Sequence, residues 1–336
     1  MLAAKTSLSA FTISPLLRRA EKLLPKSPSL RKYLFTSRPP WTALAFTWKC
    51  CRSLPEAHGL KDTECVEFLR WVLPRLHLSW RGFRKVRRQV CRRVERRRRE
   101  LGLVSLAAYR AHLEERPEEW AVLDGLCRVT VSRFYRDRGV WGFLEREALP
   151  ELAAAAAARG AEAHEAWSVG CASGEEPYTL ALMLALAPPC RFPSLTLHVL
   201  GTDVDEAVLR RAREARYAAS SLRDLPAPWR DRAFVERDGL FRLRPEYGRR
   251  VIFARHDVRD EPPGGPFDLV LCRNLAFTYF DLDLQLAVGD RIAGCLRPGA
   301  ALVLGVHERL PSGVVGLAPW SERFGVYRKC GGACPR

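Results

Sequence analysis

Apolar residues fall into two patterns along this chain. From residue 64 to about 158 they recur at three- and four-residue spacing, the period of amphipathic helices. From about 163 onward they gather into short runs rich in β-branched residues, separated by helical stretches. The first helix is expected over 64–76, with Cys65, Phe68, Leu69, Val72 and Leu73 on one face. A second runs through Trp80, Phe83, Val86, Val90 and Val94, opened by Ser79 and closed by Gly102. Helices are also expected over 105–115, 118–128 and 139–147, and Pro150 breaks the pattern before an alanine-rich helix at 151–159. Between them, 128–137 (RVTVSRFYRD) is dense in β-branched and aromatic residues and joins the helical part to the second half of the chain.

The second half alternates strand and helix, which implies a mostly parallel sheet of Rossmann-like α/β type behind a small all-α domain. An apolar segment with Ala166, Trp167 and Val169 meets Gly170, then a turn with Ser173 and Gly174, then a helix carrying Pro177 in its first turn and closed by Pro188-Pro189. The run 195–202 is the second strand; it ends on Asp203, with Asp205 capping a helix to about 215. Strands at 233–236 and 240–243 flank Asp238-Gly239, a hairpin turn dipeptide. Further strands are expected at 251–254, 267–272 and 300–306, the last after a turn at Arg297-Pro298-Gly299, with a helix over 284–296 and a final edge strand at 324–328. The chain then divides into a leader at 1–60, a helical domain with its linker at 62–137, an α/β domain at 138–329 and a tail at 330–336.

The glycine turn carries the first chemical signal. Gly170 permits close approach of backbone to a ligand, but Glu175 and Glu176 stand where a dinucleotide fold aims a helix N-terminus at a pyrophosphate. Paired carboxylates repel phosphate and suit a nucleoside bearing a cationic sulfonium and an amino group, as in S-adenosylmethionine. They also suit the helix dipole. Asp203 ends the second strand, where an acid can accept both ribose hydroxyls, although it lies further from Gly170 than the roughly 20 residues of the dinucleotide fingerprint. Arg273-Asn274 directly follows a core strand and falls at the same carboxyl edge.

Charge adds a partner. The net charge is +17, and residues 81–99 hold eleven Lys or Arg against one acid, Glu95. The second helix is thus a positive ridge that could be a solvated face, a nucleic-acid contact or a dock for an acidic protein. Residues 1–60 carry ten basic residues against two acids, a composition fitting a transit segment within residues 1–40, a disordered leader or a start-site extension. No run is long and apolar enough to span a membrane. The 11 scattered cysteines suggest buried thiols in a reducing, cytoplasmic setting rather than a disulfide framework, and no metal site is expected.

Together, WSVGCASGEEPYTLA (167–181), GTDVD (201–205), FDLVLCRNLAFTYFD (267–281) and LRPGAALVLGVHE (296–308) resemble the CheR family of chemotaxis methyltransferases over about 62–310. The resemblance implies a class I methyltransferase fold, S-adenosylmethionine as cofactor, and methyl transfer to a protein glutamate. It maps polar cofactor contacts onto Thr130, Ser132 and Arg136, and places Glu175 or Glu176 and Asp203 at the cofactor's polar ends. Asp257-Val258 stands where the family has Asn-Leu, with Asp257, Arg273 and Asn274 toward the adenine or the adjoining polar side and Arg136 and Tyr279 nearest the methyl group and acceptor. The Cys-Arg-Asn to Tyr-Phe spacing is one residue longer here, through Thr278. In that family the basic helix faces acidic receptor helices, which favours a glutamate-bearing protein docking on 81–99 over nucleic acid. A monomer is expected. Other acceptors, or a non-catalytic adaptor, are the alternatives. The family's small β-subdomain, which can tether receptor tails, corresponds to a compact part at about 232–249.

Overall fold

The computed structural model describes residues 62–161, 163–187 and 196–332. The leader, the Pro188-Pro189 stop and Cys334 lie outside the described residues. The chain opens with a helical layer: α1 (Asp62–Val72), α2 (Trp80–Phe83), α3 (Arg87–Glu100), α4 (Leu106–Glu115) and α5 (Pro117–Cys127). α1 buries Cys65, Phe68, Leu69 and Val72, the single stripe its spacing foretells. The expected helix over 80–99 is instead two, α2 and α3, interrupted at 84–86. A reason is visible at Gly82: a Cβ there would lie 2.1 Å from the Thr278 carbonyl oxygen, so α2 is pressed against the α/β part. The same junction holds the bridge between Leu78 and Phe280 and the bond from Ser79 N to the Tyr279 carbonyl, 2.7 Å.

The β-branched density of 128–137 produces no strand; backbone donors within it find partners in a backbone carbonyl and a side chain. Phe134 N bonds to the Ser221 carbonyl and Tyr135 N to Thr179 Oγ1, both at 3.0 Å. α6 (Arg138–Phe143) then passes through a π turn at Leu144–Ala148 into α7 (Leu149–Ala158). Pro150 does not break this run. It occupies the first turn of α7, where its missing N–H is least costly.

The α/β part comprises β1 (His164–Val169), α8 (Glu175–Leu186), β2 (Leu197–Asp203), α9 (Glu206–Glu214), β3 (Arg216–Tyr217), α10 (Ala227–Ala233), β4 (Phe234–Arg237), β5 (Leu240–Leu243), α11 (Pro245–Gly248), β6 (Val251–Arg255), β7 (Phe267–Cys272), α12 (Ala276–Tyr279), α13 (Leu282–Cys295), β8 (Leu296–Leu304), β9 (Leu317–Ser321) and β10 (Val326–Lys329). Seven strands form one sheet in the order β6-β2-β1-β7-β8-β10-β9, parallel except for β10, which is antiparallel to both neighbours. The expected final edge strand is therefore second from the edge. β9 is the edge, and Pro319 within it hides it from a strand pattern while suiting an edge position. β8 begins at Leu296 and runs through Pro298-Gly299 instead of starting after them, with a register shift in the facing β7 between Phe267 and Leu269. β3, β5 and β4 make a separate three-stranded sheet whose hairpin has both Asp238 and Gly239 at positive φ.

Side chains alternate across the large sheet into two cores. One face packs Trp167, Val270 and Leu302 with the helical layer and α13 in a continuous cluster; the other packs Ala166, Leu271 and Val303 with α6, α7 and α8. The expectation that cysteines would all be thiols fails at one described pair. Cys65 of α1 and Cys91 of α3 form a disulfide, because the two buried helix faces bring them together. Cys127, Cys171, Cys272 and Cys295 are free and buried, and burial raises each thiol's pKa.

Candidate functional site

The parallel strands end at one edge of the sheet, where the turns after β1, β2, β6 and β7 open a cleft. Leu78, Phe83, Asp124 and Cys127 of the helical layer roof it, and the connector 128–133 with Arg136 forms a side wall. Thr130, Ser132, Arg136, Gly170, Glu176, Asp203, Asp257, Val258, Arg273, Asn274 and Tyr279 all line it. Glu175 does not.

The turn after β1 is built from left-handed backbone. Gly170 has φ of 65° and Leu275 presses on the space a Cβ would need, at 2.5 Å. The turn delivers Ala172 N to Asp203 Oδ2 at 3.0 Å, while Asp205 N reaches Oδ1 at 3.0 Å. Asp203 is thereby fixed by two backbone donors. Burial still raises its pKa, against the lowering effect of those bonds.

Adjacent helix positions diverge by about 100°, so the paired acids part company. Glu176 points to the cleft, accepting from Ser168 Oγ at 2.8 Å and Arg273 Nη1 at 3.2 Å. Glu175 turns inward instead, 4% exposed, with the Ser132 side chain near its carboxyl. Burial pushes its pKa up to about 7, only partly opposed by its backbone bond, Ser132 and Arg211. Its Oε2 has no partner among the described residues. This corrects the expectation that either acid could serve the cleft.

The Nη1 and Nη2 of Arg273 donate to Glu176, to Asp137 Oδ2 at 2.8 Å and to the Arg136 carbonyl at 2.9 Å, and it lies over the Trp141 ring, while its Nε has no partner among the described residues. It braces the wall beside Glu176, on the polar side of the cleft, and belongs to a different network from Asp257. Asp257 is paired with Arg259, Nη2 to Oδ2 at 2.6 Å, and the same guanidinium binds both carboxylate oxygens of Asp124 at 3.0 Å. Burial by itself would raise the Asp257 pKa; Arg259 more than offsets it and holds the group below its ordinary value. Arg259 supplies donors beside the acid that replaces the family's Asn, and it ties α5 to the cleft. Arg259 and Asp124 escaped the sequence reading because only the fold brings residues so distant in sequence together.

Asn274 sits at φ of 56°, held by its N–H to Glu308 Oε2 at 2.7 Å. Glu308, 3% exposed, also accepts from Gly305 N and from Thr278 Oγ1, both at 2.6 Å. The extra residue Thr278 is thus absorbed into a bond that supports the loop, and Tyr279 still reaches the cleft, its ring edge-on to Phe83 at 5.2 Å. Burial raises the Tyr279 pKa while Arg136 opposes it. Arg136 forms no ion pair with any described residue and donates only to the Val131 carbonyl, at 3.4 Å. It is a half-buried cation within electrostatic reach of both Glu176 and Tyr279.

The donor set fits S-adenosylmethionine. The N-terminus of α8 presents Glu176 where a pyrophosphate would need free amides, and Asp203 and Asp257 offer acceptors for hydroxyl and amino groups. Arg259 and Arg273 are both neutralised by acids, which leaves Arg136 as a cation free for a negatively charged acceptor.

A family model described as the CheR methyltransferase SAM-binding domain matches residues 130–318. The chain is 32% identical over 185 residues to a chemotaxis protein methyltransferase of Listeria innocua, covering 55% of this chain and 67% of that protein. It is 31% identical over 233 residues to one of Salmonella typhimurium, covering 66% and 76%. It is also 34% identical over 223 residues to part of a 104.1 kDa protein of Rhodobacter capsulatus, covering 66% of this chain and 23% of that one.

Proposed function

The chain belongs to the CheR methyltransferase family, and we propose that it transfers the methyl group of S-adenosylmethionine to the carboxylate of a glutamate on an acidic protein. It is an S-adenosylmethionine-dependent methyltransferase. The observation that carries the acceptor reading is Arg136, a cation without an acidic partner among the described residues, beside Tyr279 in a cleft whose other arginines are all paired with acids.

When bound, the cofactor would supply an electrophilic methyl group on a sulfonium, whose C–S bond would break as a carboxylate oxygen forms the new C–O bond, with neutral S-adenosylhomocysteine as the leaving group. A glutamate carboxylate, with a reference pKa of about 4.3, is ionised at neutral pH, so no general base is required. The protein's task is to orient and to exclude water. Asp203, held by two backbone donors, accepts the ribose hydroxyls. Glu176 faces the cationic end, and Asp257 accepts from the adenine amino group. Arg136 holds the incoming carboxylate, and Tyr279 and Phe83 shield the reacting atoms.

Docking falls to the ridge, in altered form. Arg87, Arg93, Arg97 and Arg98 are already engaged, by Asp62, the Leu126 carbonyl, Glu119 and Glu95 respectively. Arg81, Arg84, Lys85, Arg88 and Arg92 form no ion pair with a described residue and stay on the solvent side of the ridge. Three of them flank Phe83, which lines the cleft, so an acidic partner held there presents its side chains at the mouth.

The test is transfer of a radiolabelled methyl group to protein substrates. We expect a label released as methanol by mild alkali, the behaviour of a carboxyl methyl ester. Alkali-stable label would overturn the glutamate acceptor. Absence of calorimetric binding of S-adenosylmethionine to the folded chain would overturn the cofactor assignment itself.

A further inference from the structure

A second cleft opens away from the first, between the small sheet and the edge of the large one. It is about 630 Å³, a size common for small-ligand sites, and shares no lining residue with the cofactor cleft. Its rim holds Arg213 from α9, Arg242 from β5, Arg244 before α11 and Arg249 after it. Arg213 is paired with Glu206 and donates to the Phe253 carbonyl at 3.2 Å. Arg242, Arg244 and Arg249 pair with no carboxylate of the described residues, and Glu214 is the one acid in the lining. Strand register worsens the repulsion. Arg242 lies directly opposite Arg216 on β3 and opposite Val235 on β4, so neither residue facing it is an acid. Like charges in direct cross-strand register are destabilising.

The floor has a different character. The Tyr178 hydroxyl is committed to the Ala212 carbonyl at 3.0 Å, and its ring packs edge-on to Phe253 at 5.4 Å. Ile252 and Pro245 complete an apolar surface beneath the arginines. Three exposed arginines without acidic partners in the lining of a cleft with an aromatic floor match a ligand with a flat apolar body and a compact polyanionic end. Arginine's planar fork is well shaped for phosphate oxygens.

We propose that this cleft binds a phosphate ester of nucleotide size, with its phosphates on Arg242, Arg244 and Arg249 and its ring on the Tyr178–Phe253 floor. The assignment is independent of the methyl acceptor.

Calorimetry on the full chain, with S-adenosylhomocysteine saturating the first cleft, tests it with three probes: ATP, pyrophosphate and adenosine. We expect ATP to bind, and pyrophosphate and adenosine each to bind at least tenfold more weakly. R242E/R244E should weaken ATP at least tenfold, whereas R88E/R92E on the ridge should leave it within twofold. Should R242E/R244E not fold, as judged by its thermal melt, Arg249→Ala is expected to weaken ATP at least threefold. No ATP binding with the first cleft filled, or arginine variants that bind it as wild type does, would overturn the site. Pyrophosphate binding as tightly as ATP would overturn the role of the floor.

Discussion

Glu175 illustrates how one side chain can set a pH response. Its ordinary pKa is 4.5 and burial raises it to about 7. Below 4.5 the group is protonated whether or not the chain is folded. Between 4.5 and 7 the folded state keeps a proton that the unfolded state releases, so stability falls as pH rises through that window and levels off above it. The total effect is about 3 kcal/mol. Glu175→Gln removes it: in urea unfolding, the variant should match wild type at pH 4 and exceed it by up to about 3 kcal/mol at pH 8. The neighbouring network gives a second expectation. Arg259→Ala leaves Asp257 without its counter-charge and Asp124 with Arg128 alone, so S-adenosylmethionine affinity should drop about tenfold. The loss should be larger at acid pH, where burial now lets Asp257 protonate; Arg259→Lys should restore part of it. A titration of cofactor affinity from pH 5 to 8 checks both statements. At this scale, residue type was legible but orientation was not. The sequence shows two adjacent acids, yet only helix phase decides that Glu176 faces the cleft and Glu175 is buried. Arg273 reads as a ligand group, and only the fold shows that Glu176 and Asp137 pair with it.

Elements were legible where local pattern and packing agree. α1, α4, β2 and β7 follow their apolar spacing because each buries one unambiguous set of residues. β9 and the break between α2 and α3 were not legible, since the first carries a proline and the second answers to a carbonyl contributed by Thr278. The Cys65–Cys91 link belongs here too, because it needs the α1–α3 crossing before it can form. It closes a loop with a sequence separation of 26, so its reduction should lower stability by about 3 kcal/mol in the chain-entropy account. Urea unfolding with and without reductant measures this, and alkylation of the denatured, unreduced chain should leave Cys65 and Cys91 unlabelled.

For the whole molecule, the uneven +17 charge bears on association more than on fold. Arg88→Glu with Arg92→Glu should raise KM for an acidic protein acceptor at least tenfold while cofactor affinity stays unchanged. Wild-type KM should also climb with ionic strength, as expected for exposed charges screened over about 10 Å at 0.1 M salt. Steady-state kinetics across a salt series separates this from a folding defect, which would move both constants.

The continuous core shared by the helical layer and the sheet constrains how this chain can be cut. The matched family segment begins at 130, but the apolar cluster runs across that boundary from Leu69 and Phe83 to Phe277 and Leu302. A fragment starting at 130 would strip one face of the sheet, expose Phe277 and Phe280 to water, and leave the cleft without its roof. Such a piece should aggregate rather than retain partial activity. Recombination that exchanges the helical layer between relatives to change their docking partner must therefore also carry across the buried residues of β7, α12 and α13 that the layer rests on.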